Sequence, residues 1–290
     1  MHARAPWIVT WDDHEVDNNY AGDIAEDKQS RQELLERRAN AYQAYYEHMP
    51  LRAAAMPKGS GMLLYRDIPW GALANFTVLD TRQYRTDQPC GDGRRAPCPG
   101  AFDPATTLLG AEQHAWMERH LSQSKAVWNV IAQQVLLARI DFQRGAGEFF
   151  SMDQWSGYEA CRDRVLRFLN ERRIGNPVVI TGDIHSNWAC NLKLDWRNEK
   201  SATVGVELVG TSISSGGDGV DAIVGIEAVY AENPHLKWHG ARRGYVSCTV
   251  TPKRTQADYR TMPFVAKPGS PIQTSRSFVM EAGRMGLQNA

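Results

Sequence analysis

Neither sign of charge predominates in this 290-residue sequence. Its 33 Lys and Arg residues balance 33 Asp and Glu, so no global field draws the chain to a nucleic acid or an anionic membrane. No apolar run approaches the roughly 20 residues of a membrane-spanning helix. Cysteine is sparse, five in all, too few for disulfides to replace a core in a chain this long. Internal repeats, heptads and low-complexity linkers are lacking too, which removes solenoids, coiled coils and tethered modules. Met1 to Pro6, with His2 and Arg4, run straight into an apolar segment and do not read as a signal peptide; the chain, if complete, reads as cytoplasmic. The expectation is one globular domain over residues 1–290.

What the sequence does contain is an alternation of strand-like and helix-like stretches. "PWIVTW" (6–11) reads as a buried strand and 31–49 as a helix with Leu34, Leu35, Tyr42, Tyr45 and Met49 on or near one face. Strands are expected at 62–68 and 73–80, joined as a hairpin by "PWG". A long Gly-, Pro- and Arg-rich segment, 82–108, follows; loops of that length are usually functional. Within it Cys90 and Cys98 bracket "CGDGRRAPC" and are placed to pair in an oxidising compartment. Helices are expected at 110–124 and 157–173, the second capped at Gly175, and strands at 125–134, 176–181, 203–214 and 244–262, the last a hairpin turning at Pro252. The sum is a mixed α/β domain with strand pairs typical of a two-sheet β-sandwich flanked by helices.

Two stretches have the form in which α/β folds gather ligands, an apolar strand releasing polar residues at its carboxyl end. "WIVTWDDHEVDNN" releases Asp12, Asp13, His14 and Asn19; "PVVITGDIHSNW" releases Asp183 and His185. Crowded carboxylates repel, so the first cluster needs a cation or water between its members. Aspartate and asparagine oxygens suit hard cations and imidazole suits zinc or iron, and a mixed set is what a two-metal hydrolase requires. The blander alternatives stay open: Asp12 or Asp13 as a helix cap, "GDIH" as a turn with a satisfied histidine, and the nine tryptophans as binding platforms rather than core. Only one of Asp12 and Asp13 is expected to face an ion, because successive residues of an extended chain point opposite ways.

"TWDDHEVDNNYAGD", "TVLDTRQYRTDQPC", "TLLGAEQHAW", "QWSGYEACRDRVLRFL", "VVITGDIHSNWACNLK", "ELVGTSISSGGDG", "NPHLKWHGARRGYVSCTVTP" and "ADYR" together resemble, in order and over nearly the whole chain, the catalytic portion of the PhoD-like alkaline phosphatases. The resemblance implies a metallophosphatase-like, purple-acid-phosphatase-like two-sheet β-sandwich with helices outside and metal ions at the strand ends. It implies hydrolysis of small phosphate mono- and diesters, calcium together with iron, and a protein of an exported family. By position it makes Asp12 or Asp13, Asn19, Asp183 and His185 metal ligands, with His14 the proton donor to the leaving oxygen. Arg82 and Arg85, planar and always charged, become candidates for holding phosphate, against the alternative of ion pairs with Asp80 or Asp87. Arg242 and Arg243 are basic candidates of the same kind. His235, in "NPHLKW", is a substrate-contact candidate or an ordinary core or surface histidine.

The resemblance also implies elements upstream of "WDDHE", a cysteine and a strand ending in Gly-Asp with a nearby tyrosine, that supply part of the metal site. The expectation is therefore a chain truncated relative to the family and lacking its first strands, either a partial ion-binding remnant or a piece of a longer enzyme, with a sheet edge left to pair elsewhere.

Overall fold

The computed structural model describes residues 2–290. Helix α1 (Arg31–His48) starts where the sequence provides a cap. The Ser30 hydroxyl accepts from the Glu33 N–H at 3.2 Å, and the Glu33 carboxylate accepts from the Ser30 N–H at 2.8 Å, satisfying two donors that the first turn leaves open. Its buried face carries Leu34, Tyr42 and Tyr45. Tyr42 stacks on the indole of Trp11 at 4.1 Å, which ties the amino-terminal segment to the helix.

The strands are β1 (Arg66–Trp70), β2 (Ala74–Val78), β3 (Arg94–Arg95), β4 (Trp128–Ala132), β5 (Phe150–Ser151), β6 (Pro177–Thr181), β7 (Asn187–Lys193), β8 (Thr203–Val209), β9 (Gly219–Val220), β10 (Leu236–Val250), β11 (Arg254–Met262), β12 (Gln273–Glu281) and β13 (Gln288–Asn289). Helices α2 (Gly110–Gln123), α3 (Glu159–Glu171) and α4 (Ile226–Glu232) complete the set. The large sheet runs β1-β2-β4-β6-β8-β7-β10-β11-β12-β13. β2, β4, β6 and β8 are parallel, and the strands on either side of them are antiparallel.

β10 pairs through Leu236–Gly240 with β7 and through Arg243–Val250 with β11. It thus carries the chain from the first seven-strand portion into the second. Ala74, Trp128, Val178, Ala189 and Val206 of the first portion share one buried cluster with Ala257, Tyr259, Phe278 and Met280 of the second. A second core, including Met117, Leu121, Val165, Leu166 and Leu169, lies under α2 and α3. Trp11, Trp128, Trp155 and Trp188 are fully buried and belong to core rather than to a platform.

Two local expectations are corrected. Residues 6–11 form no strand: Trp7 and Ile8 are exposed and no ladder pairs them. Apolar and β-branched residues favour a strand only where a neighbouring edge accepts their hydrogen bonds; here Val9 and Thr10 are held instead by Arg66, which donates to Val9 O at 2.6 Å, and by a Thr10 hydroxyl donating to Leu79 O at 3.3 Å. Helix α3 ends not at a glycine but through Arg173 in the left-handed region, φ 52°.

The parallel strands also bury a carboxyl with no cation beside it. Glu207 of β8 accepts from Thr181 Oγ1 (2.7 Å) and from the N–H groups of Leu137 (2.8 Å) and Ala138 (2.7 Å). Burial nevertheless pushes its pKa up to about 7. Because the folded chain holds this proton more tightly than the unfolded one, the stability it allows is present below about pH 4.5 and is lost as pH rises to about 7, by about 3 kcal/mol. Glu207→Gln is expected to remove that slope in urea melts taken between pH 5 and 7.

Candidate active site

The parallel strands aim their carboxyl ends at one place. β2 delivers Asp80 and Arg82, β4 Gln133 and Gln134, β6 Asp183 and His185, and β8 Thr211. The amino-terminal segment lies across them, held by Gln134 Nε2 donating to Thr10 Oγ1 at 2.8 Å. Between the segment and the strand ends opens a cavity of about 410 Å³ lined by Asp12, Asp13, His14, Asn18, Asn19, Asp183, His185, Thr211 and Ser212 among others. Its walls are strained: of five non-glycine residues with positive φ, Asn19 (48°), Asp183 (64°) and His185 (53°) are here. Such conformations persist only where surrounding contacts enforce them.

The structure brings the two sequence clusters together. One carboxylate oxygen each of Asp12, Asp13 and Asp183 lie within 4.8 Å of one another. Asp13 is buried and accepts from His14 N–H at 2.8 Å and Asn19 N–H at 3.0 Å. Residues 13–17 make turns, Val16 and Asp17 both donating to Asp13 O at 2.8 Å, and no helix starts there. Asp12 and Asp13 both reach the cluster, because the chain turns between them rather than running extended. His14 stands on the rim with 72% of its side chain exposed, Nε2 3.9 Å from Asp13 Oδ2.

Arg82 and Arg85 do not line this cavity. Both side chains are 0% exposed. Arg82 lies beneath the pocket and donates from Nε to Asp12 (2.6 Å), from Nη1 to Asp153 (3.0 Å) and from Nη2 to Asp183 (3.3 Å). Arg85 donates to the Tyr158 hydroxyl and to Asp153 O. Their partners are these carboxylates and not Asp80 or Asp87, because the β2 carboxyl end turns inward; Asp80 caps that turn through the N–H groups of Arg82 and Gln83.

Burial pushes the Asp183 carboxyl well above the usual range, and the nearby Asp12 adds to the effect despite Arg82. Asp153, equally buried, goes the other way because Arg85 and Arg82 outweigh desolvation. The pocket side of this arrangement is thus short of positive charge, and its donors are oxygens. That combination fits a hard cation, which Asp12, Asp13 and Asp183 would hold.

Other candidates are placed differently from expectation. The Asn19 side chain donates to Asp92 Oδ2 at 2.8 Å, so its amide is turned to the 90–98 loop and only its carbonyl oxygen remains for an ion. His185 is exposed on the rim and its ring is not among the three clustered groups; its carbonyl is gripped by Arg243 (2.6 Å) and by the Thr211 hydroxyl (3.1 Å). His235 is corrected outright as a substrate contact. β7 starts at the pocket and runs away from it, and His235 lies beside the far end of that strand. There its Nε2 meets Arg139 O at 2.6 Å, and burial lowers its pKa to about 4. Arg242 is bound to exposed Asp221 at 2.8 Å.

Asp153, Gln154 and Gln88, which sequence reasoning did not single out, hold the site from behind, together with Arg243, one of the basic candidates. Gln154 donates to Asp183, and Gln88 to Asp153. Arg243 fastens the wall through Gly216 and Gly217 carbonyls. In the same wall Gly219 has φ 69° and an added Cβ would sit 2.2 Å from Ala241 O, so only glycine fits.

Residues 1–259 match the profile of the PhoD-like phosphatase family. The chain is 50% identical over 287 residues to alkaline phosphatase D of Bacillus subtilis (strain 168), covering 99% of this chain and 49% of that protein. It superposes on a solved structure described as the structure of PhoD with a TM-score of 0.96 and 50% identity, over 99% of this chain and 55% of that one. The chain spans about half the length of these relatives. With the family's profile matched over most of its length and its fold reproduced, the chain belongs to the PhoD-like phosphatases.

Proposed function

We propose that the chain is the catalytic domain of a metal-dependent phosphoesterase that hydrolyses small phosphate mono- and diesters. The observation that carries this is the meeting of Asp12, Asp13 and Asp183 within 4.8 Å at the carboxyl ends of parallel strands, in an open cavity. The joint cluster drawn from both portions of the large sheet supports a metallophosphatase-like two-sheet packing. Calcium, with iron as a second ion, is the proposed metal content; the three carboxylates suit calcium. When bound, such cations acidify water and neutralise phosphoryl charge. In this proposal Asp12, Asp13 and Asp183 hold a cation, Arg82 keeps two of them aimed from below, and His14 gives the Nε2 proton to the leaving oxygen. His185, Thr211 and Ser212 form the wall against which the ester lies. The Cys90–Cys98 disulfide supports an oxidising, exported setting.

The test is turnover of bis-p-nitrophenyl phosphate by chelator-stripped protein, reloaded with calcium alone or with calcium and iron. Hydrolysis is expected to vanish on stripping and to return on reloading. A rate indifferent to both treatments would overturn the proposal.

A further inference from the structure

The disulfide closes a segment that touches the site twice. Between Cys90 and Cys98 no residue is buried; Arg94 lies over the Phe142 ring at 3.8 Å, and the loop's other contacts are polar. Yet just before it Gln88 donates from Nε2 both to Asn19 O and to Asp153 Oδ1, each at 2.9 Å. Within it Asp92 accepts from Asn19 Nδ2 at 2.8 Å. Gly93 O receives the Met152 N–H at 2.8 Å, and β3 pairs with β5 immediately before Asp153. Asn19 in turn, held at φ 48°, donates its N–H to Asp13 Oδ2. Asp153 binds Arg82, which reaches Asp12 and Asp183. All three clustered carboxylates are therefore braced through Asn19 or Asp153, the first brace ending within this loop at Asp92 and the second just before it at Gln88.

We propose that Gln88 and Asp92 are positioning residues for the cation site, and that the Cys90–Cys98 bond holds them in place, so that reducing it weakens cation binding. The proposal deepens the phosphoesterase reading and rests on its cation site. Both cysteines are partly exposed and open to a small dithiol. The dithiol delivers two electrons and two protons: the protein S–S bond breaks, two thiols form, and the reductant closes to its own cyclic disulfide. The freed loop samples many conformations, and Asn19 loses the contacts that keep it left-handed.

The experiment is calorimetric titration of the full chain with calcium, oxidised and after dithiothreitol treatment and desalting, alongside Cys90→Ser/Cys98→Ser and Gln88→Ala. Partners that orient ligands typically set metal affinity by about 10–100-fold. A calcium Kd at least about tenfold weaker is expected on reduction and in the serine variant, with Gln88→Ala weakened while its disulfide is intact. Far-UV circular dichroism of the calcium-free forms is expected to stay unchanged, which unfolding of the domain would not give. Equal Kd values for oxidised and reduced protein would overturn the proposal. Should the serine variant unfold, an unaltered Kd in Gln88→Ala overturns it equally. Asp183→Asn separates the two levels. If wild type and Asp183→Asn bind calcium alike, or neither binds, the cation site itself is refuted; if only Asp183→Asn loses binding, the loop's role alone is.

Discussion

Asp183→Asn is expected to lower cation-dependent phosphodiester hydrolysis by on the order of 10³-fold, as loss of one group stabilising transition-state charge commonly does, while making the cation-free protein more stable at alkaline pH. Asparagine copies the shape of aspartate and tolerates the left-handed backbone found at this position. It still offers an oxygen to Arg82, but removes a negative charge that burial and Asp12 both disfavour. The sign follows from the raised carboxyl. Wild type is penalised above the ordinary aspartate range, and that penalty fades as the pH falls and Asp183 takes up its proton. The advantage of the variant is therefore present at alkaline pH and absent in acid. Thermal melts across pH and turnover at saturating calcium check the two halves. A variant that hydrolyses normally contradicts the assignment of Asp183 as a cation ligand, and one that is less stable in alkali contradicts its raised carboxyl.

Arg82→Met is expected to cost about 3–5 kcal/mol in urea denaturation near neutral pH, the range seen when one partner of a buried ion pair is removed. One guanidinium answers three carboxylates with one nitrogen each, and methionine fills the volume without the charge. Asp153, whose carboxyl the two arginines keep low, would lose one of them. The loss should shrink as the pH falls, because the buried carboxyl of Asp183, already pushed above the usual range, sheds its charge by taking up a proton. Arg82→Lys is expected to recover only part of it, since its three N–H donors sit on one atom and cannot span the carboxylates that the guanidinium reaches with three separate nitrogens. A change under about 1 kcal/mol would mean that water replaces the guanidinium without penalty.

The parts of this fold that local chemistry determines were legible before any coordinates. The helix expected from residue 31 is α1, the hairpin expected around "PWG" is β1 and β2, though Pro69 and Trp70 belong to β1 and the turn is residues 71–73, and the apolar run of β6 ends where Asp183 and His185 emerge. The meeting of the Asp12–Asp13 segment with Asp183 was expected from two motifs of strand-end form, of which only the second ends a strand, and with one of the two acids rather than both facing the site; family membership was expected from several more. Residues 6–11 misled because their side chains favour a strand while the backbone finds no edge to join, a fact of tertiary structure. Arg82 and His235 were each left with two readings because residue type states what a side chain can bind, not which way its strand runs. The arginine turns inward to the acids, and the histidine rides to the far end of β7. Asp153 gave no signal: it sits in an irregular polar stretch, and only the approach of Arg82, Arg85 and Gln88 makes it matter.

β10 has a topological consequence. Because one fifteen-residue strand forms ladders with β7 along one part and β11 along the other, alignment is transmitted between them. A one-residue slip against β7 would displace the β11 ladder as well, turning apolar faces outward in both portions together. Gly244 stands just past the changeover, where an added Cβ would come within 1.9 Å of Arg260 O. That tight crossing admits one alignment, and through it the pairing of the distal strands is tied to the strand next to the pocket.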